Sequence, residues 1–377
     1  MGVTSKENGS NFYMKIAQIS SYYPPHLGGG DNVVRSISEQ LAKNGHQVEV
    51  FTSDIGTNSG KLNSSKNLKI HYLKAFEIAH SSIIYSIFFK LINIPKKAIL
   101  HVHVGHIFVP EVVFLVSKLR NIPYIVHFHI DVDPSGPFGI LLKPYKKIFL
   151  STVLRGAAKV ICLTGDQKEF LIKNYSINAQ KIEIIPNGVG EEYFVTQKTK
   201  NRMPHLLFVG RLADQKNIPF MLESFSLIKT NAHFDIVGEG EKRKEIEDKI
   251  KKLDLKNVIL HGHKSGNELI ALYKQADLFI FASKNEGMSL SMLEAMAAGL
   301  PIIGNDTKSI SDLINDCSIT INNPTPQKYA DAIDSLLINK KRLQELSRKS
   351  IEKAKQYTWK NTVKNIERIY KSILDNT

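Results

Sequence analysis

Cysteine, tryptophan and long apolar runs are scarce in this chain, and each scarcity closes off a class. The two cysteines, Cys162 and Cys317, lie far apart in apolar, strand-like runs. That excludes a disulfide-stapled scaffold, offers no metal-ligand spacing and predicts two buried thiols. There is one tryptophan, and the aromatics, 8% of the chain, are not arranged as a stacking platform for nucleic acid bases. No stretch approaches the ~18 uninterrupted apolar residues that cross a bilayer. The longest candidate, Ile107 to Val116, is short and carries Glu111, so no integral membrane protein is expected. Acidic residues are also in deficit: 50 Lys and Arg stand against 36 Asp and Glu, a formal charge of +14. Such a surplus draws a protein toward nucleic acid, phosphorylated ligands or an acidic membrane face. Met1 to Asn11 are polar and lack the basic and apolar regions of a signal peptide. Residues 1–13 therefore read as a disordered extension, and the cytoplasm is the expected compartment.

A chain of 377 residues with 42% hydrophobic content has enough apolar material for roughly two domains. Short β-branched runs alternate with longer amphipathic stretches. Strands are expected at Lys15 to Ser20, Gln47 to Ser53, Leu68 to Leu73, Leu100 to Val104, Tyr124 to Ile130, Lys159 to Thr164 and Ile182 to Pro186. After a polar stretch the pattern restarts at Leu206 to Val209, His233 to Val237, Val258 to His261, Leu278 to Ala282, Pro301 to Gly304 and Ile319 to Asn322. Near-continuous apolar strands separated by helices predict parallel sheets covered on both faces. The fold class is therefore α/β, with two doubly wound, Rossmann-like domains at residues 14–190 and 204–356 and a linker at 191–203. Such sheets bind ligands beyond the carboxyl ends of their strands, so the loops there carry the chemistry. Two domains facing across a cleft would hold a ligand between them.

The first such loop, Tyr23 to Asp31, contains Gly28, Gly29 and Gly30 ahead of a helix expected from about Asn32 to Asn44. Glycines here let the backbone approach a phosphate, whose charge then sits at a helix N-terminus. A dinucleotide fingerprint is excluded, because Val33 occupies its third glycine position; Gly238-x-Gly240 fails likewise at Arg243. Gly210-Arg211 to Lys216-Asn217 pairs a planar guanidinium fork with a compact charge, a combination suited to a diphosphate; a solvated basic loop is the alternative. His127 and His129 share a face of their strand, but no third metal ligand has convincing spacing. A neutral imidazole donating to a sugar hydroxyl or a backbone carbonyl is the preferred reading, with a purely structural histidine as the alternative.

The strongest local signal is Ser283 to Glu294. It combines Glu286 on a post-strand loop, the amides of Met288, Ser289 and Leu290 at a helix start, and Glu294 farther along. Eight helical positions turn through about 800°, two turns plus about 80°, which lets both carboxylates face one side. Ser289 is placed to cap the helix, which Gly299 and Pro301 end. A carboxylate suits a ribose or sugar diol because it accepts two hydroxyl hydrogens.

Together these residues resemble the glycosyltransferases of the GT-B fold, specifically glycosyltransferase family 4, from Met14 nearly to the C-terminus. The resemblance rests on Pro25 to Gly29, Leu41 to Val48, Ile185-Pro186-Asn187-Gly188-Val189, Gly210-Arg211 with Lys216, Glu286 to Glu294, and the closing Tyr357-Thr358-Trp359. It implies two Rossmann-like domains facing across a cleft, with a C-terminal helix at about 357–377 packing back on the first. It implies a retaining hexosyl transfer from a UDP- or GDP-type nucleotide sugar with no metal and no cofactor. By the same resemblance Glu294 holds the ribose, and Arg211, Lys216 and the backbone at Gly28 and Gly29 hold the diphosphate. Glu286 and the amides of Met288 to Leu290 hold the donor sugar, His129 contacts that sugar, and His263 lies on a loop that contacts the base. The implied catalytic set is Arg211, Lys216, Glu286 and His129. Two departures stand out: Gly190 replaces the usual acidic residue, and Ser289 occupies a position where many members carry Gly.

The acceptor is read as a glycan or a lipid-linked glycan in cell-surface synthesis. Gly139 to Lys159 holds Lys143, Lys146, Lys147, Arg155 and Lys159 with no acid, and Leu141, Tyr145, Ile148 and Phe149 recur at helical spacing. Ser82 to Lys97 carries a similar stripe of Ile83, Ile84, Ile87, Phe88 and Leu91. Either could lie on the anionic inner face of the cell membrane or pack on a sheet. A GT-B epimerase or phosphorylase, and a non-catalytic nucleotide-sugar or nucleic-acid binding protein, are the competing readings; no nucleic-acid docking motif is present.

Overall fold

A computed structural model describes residues 13–78, 81–129, 144–195, 197–199, 201–283, 288–306, 314 and 316–375. The expected N-terminal extension lies outside the described residues except for Tyr13. The chain forms two compact units. One comprises the chain up to Cys162 with Phe170–Glu183 and the segment from Val363 onward; the other comprises Leu163–Glu169 and Ile184–Thr362.

The first unit is built on β1 (Lys15–Ile19), β2 (Gln47–Ser53), β3 (Leu68–Leu73), a short hairpin of β4 (Phe76–Ile78) and β5 (Ser81–Ile83), then β6 (Ile99–Val104), β7 (Tyr124–Phe128), β8 (Lys159–Cys162) and β9 (Ile182–Ile184). Its seven-stranded sheet runs β3-β2-β1-β6-β7-β8-β9, parallel from β3 through β8. All six residues of β6 are buried, the signature of a strand covered on both faces. The covering helices are α1 (Gly29–Lys43), α2 (Ile87–Leu91), α3 (Val109–Arg120), α4 (Ser151–Gly156) and α5 (Gly165–Tyr175). In α1 the buried stripe Val33, Val34, Ile37 and Leu41 follows the helical period.

The second unit carries β10 (His205–Val209), β11 (His233–Val237), β12 (Val258–Gly262), β13 (Leu278–Phe281), β14 (Ile302–Asn305) and β15 (Ser318–Ile321), in the order β12-β11-β10-β13-β14-β15. Its helices are α6 (Ile218–Ser226), α7 (Arg243–Lys252), α8 (Gly266–Gln275), α9 (Leu290–Ala297), α10 (Pro326–Ile338), α11 (Lys340–Ala354) and α12 (Trp359–Leu374). Thr325 caps α10 through its side chain, with Pro326 in the first turn. The final part of α12 counts with the first unit, where Val363, Ile366, Tyr370 and Ile373 are buried at helical spacing.

Every expected sheet strand appears, each within about two residues. Two local expectations change. Helix α1 begins at Gly29 rather than Asn32, because Gly28 supplies the extended residue that precedes it. The stripe at Ser82 to Lys97 is mostly core: Ile84, Ile87 and Leu91 are fully buried, and only α2 is helical there. Within the 191–203 segment Lys198 Nζ donates to the carbonyls of Tyr273 and Ala276 at 3.1 and 3.0 Å, and Asn201 to that of Gln275 at 2.7 Å. These carbonyls end α8, where a cation is favoured. Both cysteines are buried, as expected. No described helix is long and apolar enough to cross a membrane.

Candidate functional site

In the second unit the strand order reverses at β10 and β13, which pair directly through Leu206–Leu278 and Leu207–Phe279. Their carboxyl ends deliver Gly210-Arg211 and Ala282-Ser283, so two segments some seventy residues apart leave the sheet side by side. A seam of backbone contacts fixes the first of them. Gly210 N–H donates to Val237 at 3.0 Å, Leu212 N–H to Glu239 at 2.9 Å, and Gly238 N–H to Gly262 at 2.8 Å. Gly238 has φ +139°, and a Cβ there would lie 1.9 Å from the Gly210 carbonyl oxygen. Gly238-x-Gly240 is thus a support for the Gly210 loop. His263, next to Gly262, follows the third strand of the same seam.

Arg211 is exposed and held by Glu241 at 3.2 Å. An exposed pair of this kind contributes little and leaves the guanidinium ready to exchange partners. Lys216 ends a 3-10 turn, and its ammonium lies 5.5 Å from the ring centre of Phe281, the last residue of β13. That contact ties the basic loop to the neighbouring strand end. Glu286 lies outside the described residues.

Ser289 occupies the expected N-cap position with extended backbone, but its hydroxyl meets Ser291 Oγ at 3.0 Å and caps nothing. The first-turn amides of α9 therefore keep their usual lack of intrahelical partners. Because Ser289 is extended and the helix starts at Leu290, the helical rotation counted from position 286 to Glu294 does not apply. Glu294 accepts the Tyr273 hydroxyl at 2.8 Å and also bonds Tyr193. Burial pushes its carboxyl up to about 7; the two tyrosine hydroxyls pull the other way, and Glu192 adds a smaller upward push.

Three supporting residues escaped the sequence reading. Asn305, at the carboxyl end of β14, donates to the carbonyls of Ala282 and Ser283 at 3.1 and 3.2 Å. Tyr329 on α10 donates to Phe281 O and Asn305 Oδ1. Asn187, read only as part of a crossing motif, donates from Nδ2 to the Met288 carbonyl at 3.1 Å. These bonds anchor both ends of the segment that contains Glu286. The closing strip supports Asn187 in turn: Val189 N–H donates to Tyr357 O at 2.8 Å, and a Cβ on Gly188 would lie 2.4 Å from Trp359 N. None of these partners follows from linear spacing, although polar residues at strand ends are a usable signal.

In the first unit Gly28 and Gly29 stand at the start of α1. There the Asp31 carboxylate bonds His26 Nδ1 at 2.6 Å and approaches Gly28 so closely that a Cβ would meet it at 2.5 Å. Negative charge already occupies part of that helix start. His129, just beyond β7, belongs to a ladder of four imidazoles. His101 and His103 on β6 stack with His127 and His129, at centroid distances of 4.5 to 5.4 Å. Burial holds all four neutral, His129 down to about 4 and His101 to about 3. The sequence search found no third ligand beside His127 and His129; among the described residues, ligand atoms of His127 and of two imidazoles from the adjacent strand, His101 and His103, lie within 4.8 Å of one another.

Comparison with known proteins agrees with this architecture. The family described as Glycosyltransferase Family 4 matches residues 27–193, and that described as Glycosyl transferases group 1 matches residues 190–357. An uncharacterized glycosyltransferase of Methanocaldococcus jannaschii is 24% identical over 96% of this chain and 99% of its own. The alpha-monoglucosyldiacylglycerol synthase of Streptococcus pneumoniae is 24% identical over 80% of this chain and 74% of its own. Among solved structures, Anabaena HepE in complex with UDP and glucose superposes with a TM-score of 0.77 at 14% identity, covering 96% of this chain and all of that one.

Proposed function

We propose that this chain, which belongs to the group 1 glycosyl transferases and has the GT-B fold, moves a hexosyl group from a UDP- or GDP-type sugar to a hydroxyl of a glycan or lipid-linked acceptor. Configuration at the anomeric carbon is retained, and no metal takes part. One observation carries the reading: Gly210-Arg211, Lys216 and the first turn of α9 leave one parallel-sheet edge at its switch point, with Glu294 in the same helix.

In this reading Arg211 exchanges Glu241 for a diphosphate oxygen, and Lys216 meets the same group. The α9 amides and Glu286 take the donor sugar, Glu294 accepts the ribose hydroxyls, and the loop at His263 borders the base. Breaking the sugar–phosphate bond places negative charge on the diphosphate and positive charge at the anomeric carbon. Fixed cations and amides stabilise the first, which lowers the barrier without a protein nucleophile. The acceptor attacks from the same face, and the departing phosphate oxygen takes its proton.

Two further observations support a lipid-linked acceptor at an anionic membrane. Ile148 and Phe149 are 58% and 56% exposed beside Lys146 and Lys147, and Leu119 on α3 is 62% exposed beside Lys118. Tyr145 donates to Glu111, which joins the two elements that carry them. Apolar side chains flanked by lysines suit an acidic lipid surface. The Streptococcus pneumoniae relative is named for a lipid product, in line with this acceptor class.

The test is incubation with UDP- and GDP-sugars plus a diacylglycerol or polyprenyl-phosphate acceptor, followed by NMR of the product. An α-linked donor should give an α-linked product. An inverted product removes retention, and epimerisation or hydrolysis that ignores every acceptor removes transfer. Absence of co-sedimentation with anionic vesicles at low salt removes the membrane part.

A further inference from the structure

Asn187 belongs to the second unit, and the backbone on both sides of it is held there. Thr362 Oγ1 donates to the Pro186 carbonyl at 3.0 Å, and Val189 N–H donates to Tyr357 O at 2.8 Å. From this fixed position Asn187 grips one residue twice. Its backbone N–H meets Met288 Sδ at 3.3 Å, and its Nδ2 donates to the Met288 carbonyl at 3.1 Å. A carbonyl only accepts, so the nitrogen of the side-chain amide is the atom that faces Met288. The other half of that amide, Oδ1, is buried with no hydrogen-bond partner, in a residue only 3% exposed. A buried acceptor left unsatisfied is a cost. Stability alone does not account for an asparagine here; the donor half is what the site keeps.

Met288 and Ser289 share a trans peptide plane. Its C=O and N–H point in opposite directions, so a carbonyl turned toward Asn187 sends the Ser289 N–H the other way. The next plane is fixed as well. Ser289 O accepts from Leu293 N–H at 3.3 Å, which directs the Leu290 N–H away from the body of α9. Neither amide has a partner among the described residues, and the Ser289 hydroxyl is taken by Ser291.

We infer that Asn187 is a positioning residue for the donor site of the second unit: its grip on the Met288 carbonyl aims the Ser289 N–H, beside that of Leu290, at the diphosphate end of the nucleotide sugar. The kinetic part rests on the proposed transferase reading; the orientation of the peptide does not. An amide aimed before the sugar–phosphate bond breaks needs no reorganisation as negative charge develops. Its loss therefore appears in turnover more than in donor affinity.

Met288-Ser289 is the only Met-Ser pair in the chain. Protein carrying 13C-carbonyl methionine and 15N serine therefore gives one carbonyl–amide correlation by NMR, which reports the bond to Asn187 and the Ser289 N–H together. In the wild type this signal should be single. It should move in a saturable way with whichever of UDP, GDP or their sugars raises the melting temperature. A signal that ignores a diphosphate that does bind overturns the inference and leaves the functional reading standing; this arm needs no variant to fold. In Asn187→Leu the Met288 carbonyl resonance should shift and the response to diphosphate should shrink. Its kcat should fall roughly ten- to a hundredfold, short of the loss on deleting an oxyanion donor outright, with the donor KM little changed. An unmoved carbonyl resonance in folded Asn187→Leu contradicts the grip, and a normal kcat beside a displaced signal contradicts its role in transfer. If no diphosphate or sugar binds, the transferase reading falls, and the carbonyl resonance of the variant decides the orientation by itself.

Discussion

Sheets β3-β2-β1-β6-β7-β8 and β12-β11-β10-β13-β14-β15 are wound in one order, yet their carboxyl edges end in opposite chemistry. The second unit places Arg211 and Lys216 there, together with a helix start free of any side-chain cap. The first unit places neutral, buried imidazoles at the end of β7, and its comparable helix start already faces Asp31. Topology alone therefore does not choose the ligand. A charged edge suits the diphosphate that must leave, and a neutral polar edge suits a sugar, whose hydroxyls need direction more than charge. Under the proposed function the charged edge of the second unit takes the diphosphate.

The largest expected effect breaks the charged edge. Arg211→Ala and Lys216→Ala should each lower kcat by about 10²- to 10³-fold, the usual loss when one group facing developing charge is removed. Circular dichroism should stay unchanged, because Arg211 is exposed and its ion pair with Glu241 lies at the surface. Near-normal transfer by either variant would remove its assigned role.

Gly238→Ala attacks the seam beneath that edge. Its Cβ would sit 1.9 Å from Gly210 O at a φ of +139°. A loss of about 3 kcal/mol is expected, lowering the melting temperature by on the order of 10 °C in a unit of this size. The corresponding Gly29→Ala in the first unit meets nothing within 4 Å and should leave stability nearly unchanged.

Glu294 sharpens the comparison through pH. Its carboxyl is raised from 4.5 to about 7 by burial, so the neutral form is favoured in the folded protein. That contribution is complete below pH 4.5 and disappears as pH rises through about 7. The wild type should therefore gain melting temperature relative to Glu294→Gln as pH falls from 8 to 5. Nucleoside diphosphate affinity should move the other way, weakening as pH falls below about 7, because a neutral carboxyl accepts hydroxyls less well. Glu294→Gln should bind roughly tenfold more weakly at pH 8 and lose this pH dependence, as read by calorimetry.

Tyr329→Phe is the gentlest probe. It removes the hydroxyl shared by Phe281 O and Asn305 Oδ1 and should cost about 1 to 2 kcal/mol of stability. A smaller fall in turnover should accompany it as the segment after β13 loosens.

Much of this architecture is legible in one dimension. The thirteen sheet strands announce themselves because runs covered by helices, such as the fully buried Leu278–Phe281, are dominated by apolar residues, and Gly210-Arg211 and Glu294 lie at positions their strands and helix predict. The hairpin of Phe76–Ile78 and Ser81–Ile83 does not, since three exposed residues leave no alternation to read. Asn305, Tyr329 and the pair His101–His103 were missed for a different reason. Each acts through a partner brought close by strand order, and sheet register is not written in local spacing. Ser289 misled in the opposite direction: its residue type favours capping, but the neighbouring Ser291 hydroxyl takes its bond.

The claim that a nucleoside diphosphate sits on the charged edge of the second unit is tested most directly by thermal-shift titration. Wild type and Arg211→Ala would be compared with UDP, GDP and ADP and with their sugars. Stabilisation follows occupancy by mass action, so one nucleotide series should raise the wild-type melting temperature in a saturable way, and Arg211→Ala should need far more of it. A protein indifferent to every diphosphate, or an Arg211→Ala variant that responds like wild type, would contradict the account.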